Sequence, residues 1–287
     1  AIVFMPVLDC GFLNWDDQTN FVQNYHYKGW SPENLRWMLT SFQLGVWQPL
    51  SWLLLDVEWT LWGPDPAPHH LVSLLLHSLN AVLVFFVGQR LLGSGFRVQG
   101  SGSGTLVSQP PSLSPQPSIC SLSCAAAFGA LFYAAHPLRV ETVAWLSCQP
   151  YLLATLFALL AILAHLKAVS GCATHSAAQR SLPAWRWLAI ICYALALMSK
   201  GIVIVFPLAL VILDVWPLRR LTGRFRDWLR PAFRSVLIEK IPFFVLAAGA
   251  TLLAANGKSH GLRGWTEHDL VQRLAQMTFG AAFYLWK

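Results

Sequence analysis

Residues 69–92 read HHLVSLLLHSLNAVLVFFVGQRLL. No Asp, Glu, Lys or Arg interrupts the run from Leu71 to Gly88. A helix needs about 20 mostly apolar residues to cross the hydrocarbon core of a bilayer, and this stretch supplies them. It predicts a transmembrane helix. Working outward, residues 119–135, 143–167, 185–199, 202–216 and 241–255 read as further crossings, and 271–287 as the start of a last one. Residues 1–8 (AIVFMPVL) are apolar but too short to span. Both ends read as cuts through hydrophobic segments, so a longer natural chain is expected. The fold class these runs predict is an all-α polytopic membrane protein.

Composition agrees. Of the 287 residues, 55% are hydrophobic and 11% are charged, whereas a soluble domain carries about 25% charged residues. Fourteen tryptophans suit a chain that meets the membrane interface. The net charge of +7 would raise nucleic acid as a partner in a soluble protein. Here the aromatic residues are not interleaved with basic ones on one face, as base stacking would require, so no nucleic acid is expected. The six cysteines show neither CxxC nor paired zinc spacing, and most lie in apolar runs. They predict small core residues and no essential disulfide. Walker, GxSxG, HExxH and dinucleotide fingerprints are missing from the sequence.

The charges sort by segment. Residues 9–68 form a long mixed segment rich in Trp, Asp and Asn. Within it, 48–62 (QPLSWLLLDVEWTLW) reads as an interfacial or re-entrant helix despite Asp56 and Glu58. Residues 93–118 are rich in Gly, Ser and Pro and predict a flexible linker. Residues 168–184 read as a small polar loop. The 217–240 segment carries Arg219, Arg220, Arg224, Arg226, Arg230, Arg234 and Lys240. If 9–68 faces a lumen, alternation puts 93–118, 168–184 and 217–240 in the cytoplasm, as the positive-inside rule prefers. Ten of the 13 acids then fall on the luminal side: Asp9, Asp16, Asp17, Glu33, Asp56, Glu58, Asp65, Glu141, Glu267 and Asp269.

Four groups of residues could carry chemistry. Asp16–Asp17, in NWDDQTNFVQN, are adjacent carboxylates just outside a membrane helix. Such a pair can act as general base or grip a divalent cation; the competing reading is a helix cap. HPLRVETVAW (136–145) puts His136, Arg139 and Glu141 in a short turn on the same side. Arg139 could hold a phosphate through paired hydrogen bonds, or anchor at the interface. Lys200, in MSKG between two apolar runs, is costly at membrane depth and so points to function; the alternative is snorkelling to the interface. His69, His70, His77 and Asn80 share one helix, and packing within the bundle is the stronger reading over a zinc site.

The order of these motifs is more specific than any one of them. WDDQTNFVQN, WQPLSWLLLD, HHLVSLLLHSLNAVL, HPLRVETVAW, LMSKGIVIVFPLALVILDVWPL and EKIPFF follow one another along the chain. The series resembles the transmembrane and tetratricopeptide-repeat (TMTC-type) family of the GT-C glycosyltransferase class. The likeness covers nearly everything outside 93–118, and the ending DVWPLRR is particularly close. The resemblance implies a GT-C-like transmembrane helix bundle with a long first luminal loop, in the endoplasmic reticulum membrane. Tetratricopeptide repeats would follow beyond the C-terminus. It also implies protein O-mannosylation, with mannose taken from dolichyl phosphate mannose. The acidic catalytic role of the first luminal loop carries over to Asp16 or Asp17. The HP–VE signature falls on His136, Pro137, Val140 and Glu141, and the SK signature on Ser199 and Lys200. One departure is LSCQPYLLA, where Gln149 and Tyr151 stand in place of an expected Arg and Asp.

The mechanism this implies is inverting sugar transfer. Asp16 or Asp17 takes the proton of a Ser or Thr hydroxyl as it attacks the anomeric carbon. Arg139 and Lys200 balance the charge growing on the leaving lipid phosphate. No nucleotide or redox cofactor enters, and a divalent metal is optional. The expected partners are membrane lipid, the polyprenyl-phosphate sugar and acceptor proteins. A second reading is a catalytically inactive membrane scaffold that presents tetratricopeptide repeats to protein partners, which Gln149 and Tyr151 favour. A third is a transporter, which the placement of most acids in the long loop opposes.

Overall fold

The computed structural model describes residues 2–100, 118–170, 182–258 and 269–286. Among them every regular element is helical. The α-helices are α1 (Pro32–Thr40), α2 (Pro49–Trp62), α3 (Pro66–Gly100), α4 (Ile119–Ala135), α5 (Arg139–Ala144) and α6 (Gln149–Ser170). They continue with α7 (Leu182–Ser199), α8 (Phe206–Val215), α9 (Pro231–Ile238), α10 (Ile241–Lys258) and α11 (Leu270–Trp286). Tight helical turns at Leu146–Cys148 and Gly201–Val205 lead into α6 and α8.

Three stretches are long and apolar enough to cross a membrane: Pro66–Gly93, Leu146–Val169 and Phe233–Gly257. Of the other expected crossings, Cys120–Ala135, Ala184–Ser199 and Gly201–Val215 are apolar helices of shorter length, whereas 271–287, read as the start of a crossing, forms the 17-residue α11 and belongs to neither set. Two boundaries differ from the sequence reading. α3 stays helical through Gly100, beyond the expected linker start at 93. Each interior glycine costs only about 1 kcal/mol, and extending an existing helix avoids a new nucleation step. The rest of that linker, 101–117, lies outside the described residues, as do Cys172 and Glu267. The last long apolar stretch starts at Phe233, inside the segment read as a basic loop.

α3 shows why the apolar runs read as they do. Its buried side is polar: His69, His70, Ser73, His77 and Asn80 are all within 1% of full burial. Its outer stripe is apolar, with Leu71, Leu75, Leu79, Val82 and Phe86 each at least 45% exposed. Both stripes follow the three- and four-residue spacing of one helix face. A helix in water would place these two faces the other way round. Polar groups turned inward and large aliphatic groups turned outward suit a hydrocarbon surrounding.

α6 packs most extensively on α7, and α3 on α4 and α6. Between α6, α7, α8 and α10 the core is Ala161, Ala164, Ala189, Tyr193, Leu197, Phe206, Leu210 and Phe243. Small residues let the backbones approach, and the Tyr193 ring stacks on Phe206 at 4.8 Å.

Residues 9–65 fold over one end of this bundle. Their core is Phe21, Tyr27, Met38, Trp52 and Leu55, closed by Leu146. The Ser31 hydroxyl caps α1 by accepting the Asn34 amide at 3.1 Å. Asp56 and Glu58 are not presented outward from α2; both are fully buried. The Gly29 amide, on a backbone with φ of 106° that favours glycine, donates to Asp56 Oδ1 at 2.6 Å. A second close approach holds the 42–45 turn against α10. A Cβ at Gly257 would sit 2.5 Å from the Phe42 ring and 3.0 Å from the Gly45 carbonyl oxygen.

The opposite ends of α6 and α7 carry a second polar cluster. Sixteen residues separate Gln149 from His165, about 24 Å at 1.5 Å per residue. There Asp214, fully buried, meets Lys240 at 2.5 Å and Arg220 at 3.0 Å, with His165 at 3.8 Å. Glu239 accepts from Arg220 at 2.8 Å and from Arg186 at 2.7 Å. Two cations counted with the basic loop, Arg220 and Lys240, are thus held inside the fold. Lys240 is 1% exposed, because a carboxylate offsets the cost of its burial.

Candidate functional site

The two adjacent acids have different surroundings. Asp17 is buried, and both its oxygens are in use. Oδ1 accepts from the Ser147 amide at 2.9 Å and the Ser147 hydroxyl at 2.5 Å. Oδ2 accepts from the Leu13 amide at 3.0 Å. Asp17 therefore ties the 13–17 turn to the Leu146–Cys148 turn that leads into α6, across 130 residues of chain. Asp16 is half-buried and lines a cavity of 190 Å³ with Asn20, Gln48, Ser147, Tyr151 and Lys200.

Lys200 reaches that cavity because α7 stops one residue earlier. Its backbone is extended, and the chain then re-enters the Gly201–Val205 turn. The carbonyl of Ser199 at the break accepts from the Ser51 hydroxyl at 2.8 Å, which anchors the break on α2. A cation at a helix C-terminus faces the negative end of the helix dipole. The Lys200 ammonium donates to Gln48 Oε1 at 2.9 Å and lies 4.9 Å from the centre of the Tyr151 ring.

A second cavity of 320 Å³ adjoins the first. Val46, Tyr151 and Lys200 line both. The second is otherwise mostly apolar, with Trp47, Leu197, Ile202, Ile204, Ala250 and Leu253. A polar chamber thus lies beside an apolar one walled by α7, the Gly201–Val205 turn and α10, with Lys200 in the wall of both. A ligand with a polar head, an anionic linkage and an apolar tail would match this sequence of surfaces.

The remaining predicted residues sit apart. Arg139 lies over the Tyr133 ring at 4.6 Å and lines neither cavity. The ring nitrogen Nδ1 of His136 accepts the Leu138 amide at 3.2 Å within its own turn. Glu141 is exposed, yet close enough to act electrostatically on Cys148 and Tyr151 of the polar cavity. The structure brings together Asp16 and Lys200, with Asp17 beneath them, and does not bring Arg139 or His136 to the same walls.

The α3 polar stripe is packed as expected. His69 Nδ1 pairs with Glu58 Oε2 at 2.7 Å, His77 Nε2 meets the Ala134 carbonyl at 3.0 Å, and Asn80 donates to the Leu152 carbonyl at 2.9 Å. Gln149 belongs to this interior, donating to Glu58 Oε2 at 3.2 Å and to the His69 carbonyl at 3.3 Å. Among the described residues no group of three or more His, Cys, Asp or Glu is placed to hold a metal ion. The described cysteines, Cys10, Cys120, Cys124, Cys148 and Cys192, are free thiols.

Burial pushes the Glu58 carboxyl above its usual range, against the opposing pull of His69 and Gln149. Oε1 is buried without a hydrogen-bond partner, so the charged form gains nothing at that atom. A raised folded-state value means the folded protein keeps a proton that the unfolded chain releases near pH 4.3. Glu58 therefore contributes stability that is fully present below about pH 4.3 and is lost as pH rises through the folded-state value. Melting temperatures of wild type and Glu58→Gln, taken from about pH 4 to 7, should show wild type losing ground to the variant as pH rises. A constant difference across that range would contradict it.

Sequence reasoning left out Ser147, Gln48 and Asn20. Gln48 carried a usable signal: a polar side chain immediately before the Pro49 that opens an apolar helix. Ser147 carried none, because its role depends on a partner far away in the chain. The chain matches no protein-family model, no curated protein and no solved structure. The likeness to the TMTC-type family therefore rests on the ordered motifs.

Proposed function

We propose that this chain is the membrane-embedded part of a GT-C-type glycosyltransferase, moving a sugar from a polyprenyl-phosphate donor to protein Ser or Thr hydroxyls. The observation that carries the reading is the pair of adjoining cavities, polar at Asp16 and apolar along α10, with Lys200 lining both. In this reading the sugar occupies the polar chamber, Lys200 faces the phosphate, and the prenyl chain lies in the apolar chamber. Asp16 removes the acceptor proton as the hydroxyl attacks the anomeric carbon, and the lipid phosphate leaves with the bonding electrons. Asp17 anchors the 13–17 turn on Ser147 and takes no part in the chemistry. Mannose as the sugar, dolichyl phosphate as the carrier and the endoplasmic reticulum membrane as the location follow from the motif series.

Donor binding tests this separately from turnover. Purified protein in nanodiscs should bind dolichyl phosphate mannose, and Lys200→Met should weaken that binding about tenfold or more, the equivalent of one charge-assisted hydrogen bond. Lys200→Arg should recover part of it. Wild-type protein that retains no lipid-linked sugar, or a Met variant that binds as well as wild type, would sink the assignment. The first of these outcomes is what a non-catalytic scaffold predicts. That reading draws on Gln149, which is committed to Glu58 and His69 rather than to a ligand.

A further inference from the structure

We propose a second lipid site, independent of the sugar-transfer reading: the cavity between α6, α7, α9 and α10 binds one anionic phospholipid. The cavity measures 750 Å³, inside the range of about 300–1,000 Å³ typical of small-molecule sites. Its walls are apolar, formed by Val169, Trp187, Ile190, Ile238 and Phe243, among others. Its polar rim is built from Arg186, Arg220, His165 and Glu239.

Charge decides the ligand class. Around this rim Arg186, Arg220 and Lys240 carry three positive charges against the two of Asp214 and Glu239. One positive charge is left over beside an apolar chamber. Arg186 uses Nη2 on Glu239 and is 46% exposed, and Arg220 uses Nη1 and Nη2 on the two acids and is 18% exposed. A guanidinium has five donors, so both keep N–H groups for a phosphodiester. The adjoining 217–240 segment carries exposed Arg224, Arg226 and Arg234, beside Arg230 paired with Asp227 at 2.8 Å, which would raise the local concentration of anionic headgroups. A free phosphate would satisfy the arginines but leave the apolar walls uncovered. A neutral lipid would cover the walls but leave the charge. An anionic phospholipid does both, with its phosphate at Arg186 and Arg220 and an acyl chain along Trp187 and Ile190.

The test uses the full chain in nanodiscs of phosphatidylcholine, with or without phosphatidylglycerol, read by native mass spectrometry and by melting temperature. Wild type should retain one phosphatidylglycerol in preference to phosphatidylcholine and melt higher when it is present. Arg186→Gln and, separately, Trp187→Ala alter partly exposed side chains. Each should retain about tenfold less phosphatidylglycerol and lose most of the melting-temperature gain. Equal retention of the two lipids by wild type, or undiminished retention by both variants, would overturn the proposal. Displacement of the retained lipid by inorganic phosphate alone would also overturn it, since the apolar chamber would then contribute nothing.

Discussion

Asp16→Asn is expected to leave the protein folded and to remove roughly 10²–10⁴-fold of its transfer activity, while Asp17→Asn is expected to unfold it more easily. The two side chains are neighbours and chemically identical, so only their surroundings separate them. An amide at 16 keeps the size and polarity of the cavity wall but cannot take a proton from a hydroxyl. An amide at 17 can keep its oxygen toward Ser147 only by turning its NH₂ toward the Leu13 amide, which is itself a donor. The Leu13 hydrogen bond is then lost, its N–H is left facing a donor, and the charge that strengthened all three contacts is gone. The combined loss is about 2–4 kcal/mol, readable as a lower melting temperature in detergent. Activity of Asp17→Asn should fall in proportion to its folded fraction. If Asp16→Asn instead turns over like wild type, or Asp17→Asn melts normally and is inactive, the two roles are exchanged or absent.

The long apolar stretches were legible because length and composition alone identify them, and the Pro66–Gly93 stretch and the Ser199–Lys200 break fall where those features put them. The start of the 233–257 stretch was not. Glu239 and Lys240 read as the charged edge of a loop, whereas each is neutralised by a partner at Arg186, Arg220 or Asp214. Paired charges no longer mark a boundary. The choice between Asp16 and Asp17 was likewise out of reach, since it turns on a serine 130 residues away in sequence. Candidate residues on one stretch of chain could be found; their convergence could not. Hence Lys200 came with Gln48 and Tyr151, while Arg139, equally suited by its chemistry, turned to Tyr133 instead.

Asp214 is the residue whose loss should cost the fold most. It closes an apolar helix, and three basic side chains from three other parts of the chain converge on it: His165, Arg220 and Lys240. Asp214→Ala removes the carboxylate that pairs directly with Lys240, leaving a buried ammonium whose remaining hydrogen-bond contact among the described residues is His165 Nε2 at 3.4 Å. Breaking a buried pair from one side typically costs about 3–5 kcal/mol, so the variant should lose most of its folded yield or melt far below wild type. Lys240→Met should cost less, because the carboxylate keeps Arg220, whose own second partner Glu239 is untouched. The decisive measurement is the double variant Asp214→Leu with Lys240→Met, which exchanges the pair for apolar side chains and leaves Arg220 on Glu239. Such replacements are often close to neutral. The double variant should therefore melt above Asp214→Ala, with a coupling between the two positions of about 0.5–3 kcal/mol. Purely additive losses would mean that the two charges are separately solvated and that Lys240 is not held by Asp214.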